Sequence, residues 1–118
     1  MLKSPSALLL CAVIGATPAV GQEICQPTFT PKASGHSEVI NYQRKWTGTF
    51  VVDASRCTVS TGPFTIEFVR LKEVGADLAF REAYTWSAGE TEVSLDLIWD
   101  EWISAYRVAD VKPCPCRR

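Results

Sequence analysis

The sequence predicts an all-β protein, a small antiparallel two-sheet β-sandwich stapled by disulfides. Apolar and polar residues alternate over several short stretches, as they do along half-buried strands. Gly, Pro, Asp and Ser clusters punctuate those stretches at intervals of roughly ten residues. The cysteines remaining after an export leader is set aside are even in number, which suits a framework of bridges.

The leader comes first. Met1-Leu-Lys3 is basic, Ala7 to Ala16 is an apolar run, and Thr17-Pro-Ala-Val-Gly21 is a stretch of small residues containing an Ala19-x-Gly21 cleavage site. That order is a secretory signal peptide over residues 1–21. The apolar run is about half the roughly 20 residues that a spanning helix needs. Cys11 sits inside the apolar core behind Leu8-Leu9-Leu10, and Cys25 follows the polar Gln22-Glu23, so neither has the surroundings that lipid attachment requires. The expectation is a soluble mature chain, secreted or periplasmic, starting near Gln22. Residues 22–118 then form a single domain with an extended N-terminal arm over about 22–37.

The 118-residue chain carries 12 Lys and Arg against 13 Asp and Glu, and Lys3 is the only charge in the leader. The mature part is therefore slightly acidic, with its charges scattered. No basic stripe is present, so nucleic acid is not an expected partner.

Cys25, Cys57, Cys114 and Cys116 remain. Direct pairing of Cys114 with Cys116 would close a strained ring through Pro115. Each is expected to bond to Cys25 or Cys57, one apiece, with both connectivities open. Pro113 and Pro115 hold the Pro-Cys-Pro-Cys segment ending at Cys116 extended, which turns its two sulfurs in different directions. The competing chemistry for this pair is thiol redox or soft-metal binding. The only His is His36, and no strand-to-helix context surrounds the pair, so structural disulfides are preferred.

Along the chain, Gln26–Ser37 reads as arm or loop, with a short strand around Thr28–Thr30. Trp46, Phe50 and Val52 share one face of a strand. Cys57-Thr-Val59 reads as a further short strand. Phe64, Ile66 and Phe68 alternate inward, and Glu73–Asp77 makes a hairpin loop. Leu78, Phe80, Tyr84 and Trp86 share a face with Glu82, which calls for a bulge or a partly exposed sheet. Ser87–Glu90 reads as a second hairpin. Val93, Leu95 and Leu97 alternate with Glu92, Ser94 and Asp96, and Ile103–Val111 closes the chain.

Leu95, Ile98, Trp99, Trp102 and Tyr106 also fit helical spacing, with Ser94 as N-cap. A helix near 94–106 is thus an alternative, but the clean alternation over Glu92–Leu97 favours two strands joined by a turn at Trp99-Asp-Glu-Trp102. About seven strands result. In strand number and spacing the chain resembles immunoglobulin-like and fibronectin-III-like domains. The Cys…Trp…Cys pattern of immunoglobulin domains is not matched, because the later cysteines lie at the extreme C-terminus. A small β-barrel is the alternative architecture.

Catalytic constellations are nearly absent. His36, between Gly35 and Ser37, reads as a solvated surface residue, and Asp96, Asp100 and Glu101 as a solvated carboxylate face. No cofactor is implied and no metal-ligand spacing occurs. Of the four tryptophans, Trp46 and Trp86 fit inward strand positions. Trp99 and Trp102 flank Asp100-Glu101, and an exposed indole beside carboxylates suits a sugar ring or a cationic group. The expected function is that of a non-catalytic exported module that binds a protein or serves an envelope structure. The alternatives are carbohydrate or small-ligand binding through Trp99, Asp100, Glu101 and Trp102, and thiol-redox or metal chemistry at Cys114 and Cys116.

Overall fold

The inward faces read from alternation are the ones that the fold buries. In a computed structural model, which describes residues 24–118, Trp46, Phe50, Val52, Phe64, Ile66, Phe68 and Trp86 are nearly inaccessible to water. The signal peptide expected over 1–21 lies outside the described residues. Among the described residues, six strands run in chain order: β1 Thr28–His36, β2 Gln43–Asp53, β3 Thr61–Lys72, β4 Leu78–Ser87, β5 Gly89–Ile98 and β6 Glu101–Ala109. They form two antiparallel three-stranded sheets, ordered β1-β2-β5 and β4-β3-β6. The architecture is the expected small β-sandwich, and residues 94–106 form strands and a turn with no helix.

Aromatic rings knit the two sheets together. Phe29 packs on Phe64 with centroids 4.8 Å apart, and Trp46 meets Phe68 and Tyr106, each at 5.0 Å. Burying a large apolar side chain contributes about 1.5–3 kcal/mol, so these contacts supply much of the cohesion. Both buried indoles fold over glycines. A Cβ at Gly48 would lie 2.5 Å from the Trp46 ring, and one at Gly62 would lie 2.8 Å from Trp86 Nε1. The glycines leave room for rings that lie flat along the sheet instead of standing up from it.

Several expectations need correction. β1 extends through His36, well beyond a short strand at Thr28–Thr30. Its side chains are exposed apart from the half-buried Phe29, so no buried face imposes an alternating pattern. Its pairing comes from backbone bonds to β2, and a register shift between Pro31 and Ala33 breaks the edge, a common protection against strand addition. Cys57-Thr-Val59 is not a strand: Cys57 makes only an isolated bridge to Cys116. Of the two options for Glu82, the partly exposed sheet is the one that forms: β4 keeps regular register without a bulge, and Glu82 lies on an open part of an edge strand.

Ser87–Glu90 is not a hairpin within one sheet. β4 pairs with β3 and β5 with β2, so Ala88 carries the chain across from one sheet to the other. Gly89 takes φ 98° there, and the Thr91 hydroxyl clamps the corner, donating to Ser87 O and accepting from Ser87 N. The Glu73–Asp77 loop does join a paired hairpin.

The disulfides are Cys25–Cys116 and Cys57–Cys114. They hold the C-terminal segment to the end of the sandwich where β1 begins and β2 finishes. Two such bonds fit an oxidising, extracellular or periplasmic setting. The described residues contain no helix long and apolar enough to cross a membrane.

Candidate binding site at the loop end

At the end away from the disulfides, three connections converge: 37–42 between β1 and β2, 73–77 between β3 and β4, and Trp99-Asp100 between β5 and β6. Backbone bonds join them. Trp99 N donates to Tyr42 O at 2.9 Å, and Glu73 N donates to Asp100 O at 3.0 Å.

This end inverts the usual arrangement, with apolar groups outside and charges inside. Tyr42 is 77% exposed, Ile40 66%, Trp99 47% and Trp102 37%, with Val39, Val74 and Ile98 also open to water. Beneath them Asp100 is buried. Its Oδ1 lies 3.8 Å from Lys72 Nζ, while Glu101 Oε2 lies 3.1 Å from Arg70 and 3.6 Å from Lys72. Glu101 Oε1 also accepts from Ile98 N at 2.9 Å and so closes the turn. Hydrogen bonds to charged groups are stronger than neutral ones, so the Glu101 carboxylate braces the turn that displays Trp99.

Asn41-Tyr42 strengthens the impression of a displayed surface. Both residues have positive φ, 54° and 64°, in a two-residue turn closed by Ile40 N to Gln43 O and Gln43 N to Ile40 O. Asn tolerates that region, but a Tyr there is strained by about 1–2 kcal/mol, and glycine is the usual occupant. The fold bears this cost with the ring held out in water.

Of the four residues singled out in the turn, Trp99 and Trp102 are partly exposed, while Asp100 and Glu101 face inward. The expected pairing of indole and carboxylate on one solvent-facing surface is therefore not what forms. The two-residue link folds Asp100 over Lys72 and puts Glu101 opposite Lys72 in the ladder. Asp96 does stay exposed, 3.5 Å from Lys45. Tyr42, Ile40 and Val39 were not singled out by sequence. The apolar pair Val39-Ile40 followed by Asn41-Tyr42, between the arm and the Trp46 strand, was the available signal.

His36 stays at the surface, as its sequence context suggests, but it is engaged there. Its Nε2 accepts the backbone N–H of Ile103 at 3.0 Å, joining edge strand β1 to edge strand β6 of the other sheet. Burial, then the Arg44 charge, lowers its pKa below 6.5 and favours the neutral form that can accept. On the other open side, Tyr84 OH donates to Ser94 O at 3.0 Å, linking β4 to β5. Burial, with Glu82 and Asp96 nearby, raises that phenol to about 12.

Beside the turn an open cleft of about 410 Å³ is lined by Ser37, Ile40, Arg44, Leu97, Ile98 and Glu101, among others. A smaller but more enclosed hollow of about 290 Å³ lies on the β4-β3-β6 sheet near Val69, Ala79 and Ala105. Next to it Glu67 pairs with Arg81 and Arg107, each at 2.5 Å. Desolvation raises the Glu67 pKa, but the two guanidiniums outweigh it and hold the carboxyl below its usual range. Those charges are satisfied by one another.

Cys114 and Cys116 are each bonded to a distant cysteine, so they do not form a dithiol pair. Among the described residues, no three His, Cys, Asp or Glu side chains gather as a metal site would require. The chain matches no known protein family, no curated protein and no solved structure.

Proposed function

We propose that this chain is a non-catalytic exported module that docks a partner protein through its loop end. The observation that carries the reading is Tyr42, an exposed aromatic on strained backbone, set beside the exposed Trp99. Tyr and Trp are the residues that most often dominate protein interfaces, and strain kept at an exposed position is a mark of function. The apolar leader pattern over residues 1–21 and the two disulfides support a secreted or periplasmic location. The only His is engaged as a hydrogen-bond acceptor, and Asp100 and Glu101 are held by Lys72 and Arg70, which supports a non-catalytic reading.

The test is comparative capture from the native secreted or envelope fraction. Wild-type domain, Trp99→Ser, Tyr42→Gly and Val59→Ser serve as baits. Val59 is an exposed residue near the disulfide end. A specific partner held by wild type and by Val59→Ser, and lost by both tip variants, supports the docking surface. Equal retention by all four baits rejects it.

Carbohydrate or small-ligand binding is the second reading, favoured by the partial exposure of Trp99 and by the cleft beside it. Saturable quenching of Trp99 fluorescence by a sugar, absent from Trp99→Phe, would move this reading to first place.

A further inference from the structure

We infer that the cleft beside the loop end is a binding site for a carboxylate carried on an apolar body, with Arg44 as its anchor. The volume, about 410 Å³, is in the range of small-ligand pockets. Ile40, Leu97 and Ile98 supply apolar wall.

Arg44 is the only cation of the cleft without a partner among the described residues. Lys45 lies 3.5 Å from Asp96, and Glu101 is held by Arg70 and Lys72. Arg44 stands on the inward-facing side of β2, opposite Leu97 and two residues before the buried Trp46. It is half-buried, and its Nε is shielded from solvent with no hydrogen-bond partner. A guanidinium presents a planar fork that matches a carboxylate. Leaving a buried donor unmatched is costly, and an incoming carboxylate would give the guanidinium the charge partner it lacks. Glu38 also lines the cleft and is the one acidic group there without an ion pair, so a bare inorganic anion gains little. An apolar body adds affinity from the walls that charge alone does not supply.

The Arg44 charge also acts on His36: after burial, it is the second cause that depresses the imidazole pKa. A carboxylate seated on Arg44 would offset that repulsion, which makes the His36 ring a reporter for the cleft.

The ligand chemistry has two sources: an acidic residue set among apolar ones on a partner protein, or a free amphipathic acid. Identifying the first source rests on the docking reading above, whereas the cleft itself does not. The probes are octanoate, 1-octanol, and the peptides acetyl-Leu-Leu-Glu-Leu-Leu-amide and its Gln counterpart. The whole mature domain is followed by NMR at the Arg44 Nε–Hε and His36 ring signals. Octanoate, the Glu peptide or both should shift the Arg44 signal saturably and raise the His36 pKa, while octanol and the Gln peptide should not. Octanoate alone assigns a free acid, and binding of the Glu peptide assigns a partner segment. Arg44→Gln should weaken binding about tenfold or more. Wild-type data alone are decisive if that variant misfolds. The proposal is overturned if neither acid binds, if octanol and the Gln peptide bind as well as the acids, or if folded Arg44→Gln binds them unchanged. Trp99 is not in the cleft lining, so loss of partner capture in Trp99→Ser with intact octanoate binding separates the two readings.

Discussion

His36 Nε2 and the Ile103 backbone N–H, 3.0 Å apart, form a bond between the edge strands of opposite sheets. Ile103 adjoins Trp102, and His36 opens the loop that carries Ile40 and Tyr42. The bond therefore ties together the bases of two elements of the loop end. It needs a lone pair on Nε2, which protonation removes.

Stability should fall as pH drops below 6.5. The folded-state pKa of His36 lies beneath that value, so the unfolded chain takes up the proton first. The loss should continue down to the folded-state pKa and level off below it. His36→Gln should abolish that portion of the pH dependence, and at neutral pH should cost about 0.5–1.5 kcal/mol if no bond is regained. Urea melts between pH 7.5 and 5 check both. An unchanged slope in the variant would show that His36 is not the titrating latch.

Tyr84 offers the same test at the alkaline end. Its phenol is raised from 10.0 to about 12. Its contribution is complete below pH 10 and is lost as pH rises through about 12. Tyr84→Phe should remove the decline in that window, measured by thermal melts at pH 9.5 to 12.

Tyr42→Gly should raise stability by about 1 kcal/mol, because glycine accepts positive φ without a Cβ clash. The same change should weaken partner capture. A lower melting temperature would show that the Tyr42 ring makes a stabilising contact that outweighs its backbone strain.

Trp99→Ala should cost less than about 1 kcal/mol, while Trp46→Ala should cost about 3–5 kcal/mol. The contrast follows from exposure, 47% against 2%. Gly48→Ala should also destabilise, by about 1–3 kcal/mol, since the new methyl meets the Trp46 ring. Denaturant titrations of the three variants decide the set, and a large loss in Trp99→Ala would argue against a displayed indole.

Peptide mapping of the oxidised protein should link Cys25 to Cys116 and Cys57 to Cys114. Removing either pair should cost about 2–5 kcal/mol. Linked peptides in the crossed pattern would contradict the fold at its C-terminal end.

What could be read directly was local. Side chains alternate along Phe64–Phe68 and Val93–Leu97 whatever strand lies alongside, because the pleat alone sends neighbours to opposite faces. The same local logic predicted disulfides from an even cysteine count, and strands in preference to a helix over 94–106. Strand partnership is not local. The turn-like Ser87–Glu90 has the composition of a hairpin, and only the pairing of β4 with β3 and β5 with β2 makes it a corner between sheets. Only the Thr28–Thr30 start of β1 was legible, because an edge strand with one half-buried side chain has no pattern to display. The choice between two connectivities needed the position of Cys25 and Cys57 relative to the tail. The loop end is wholly a product of tertiary structure. Asp100 and Glu101 turned inward because Lys72 and Arg70, some thirty residues earlier, lay beneath them, and a charge buried with a partner is tolerated where an unpaired one is not.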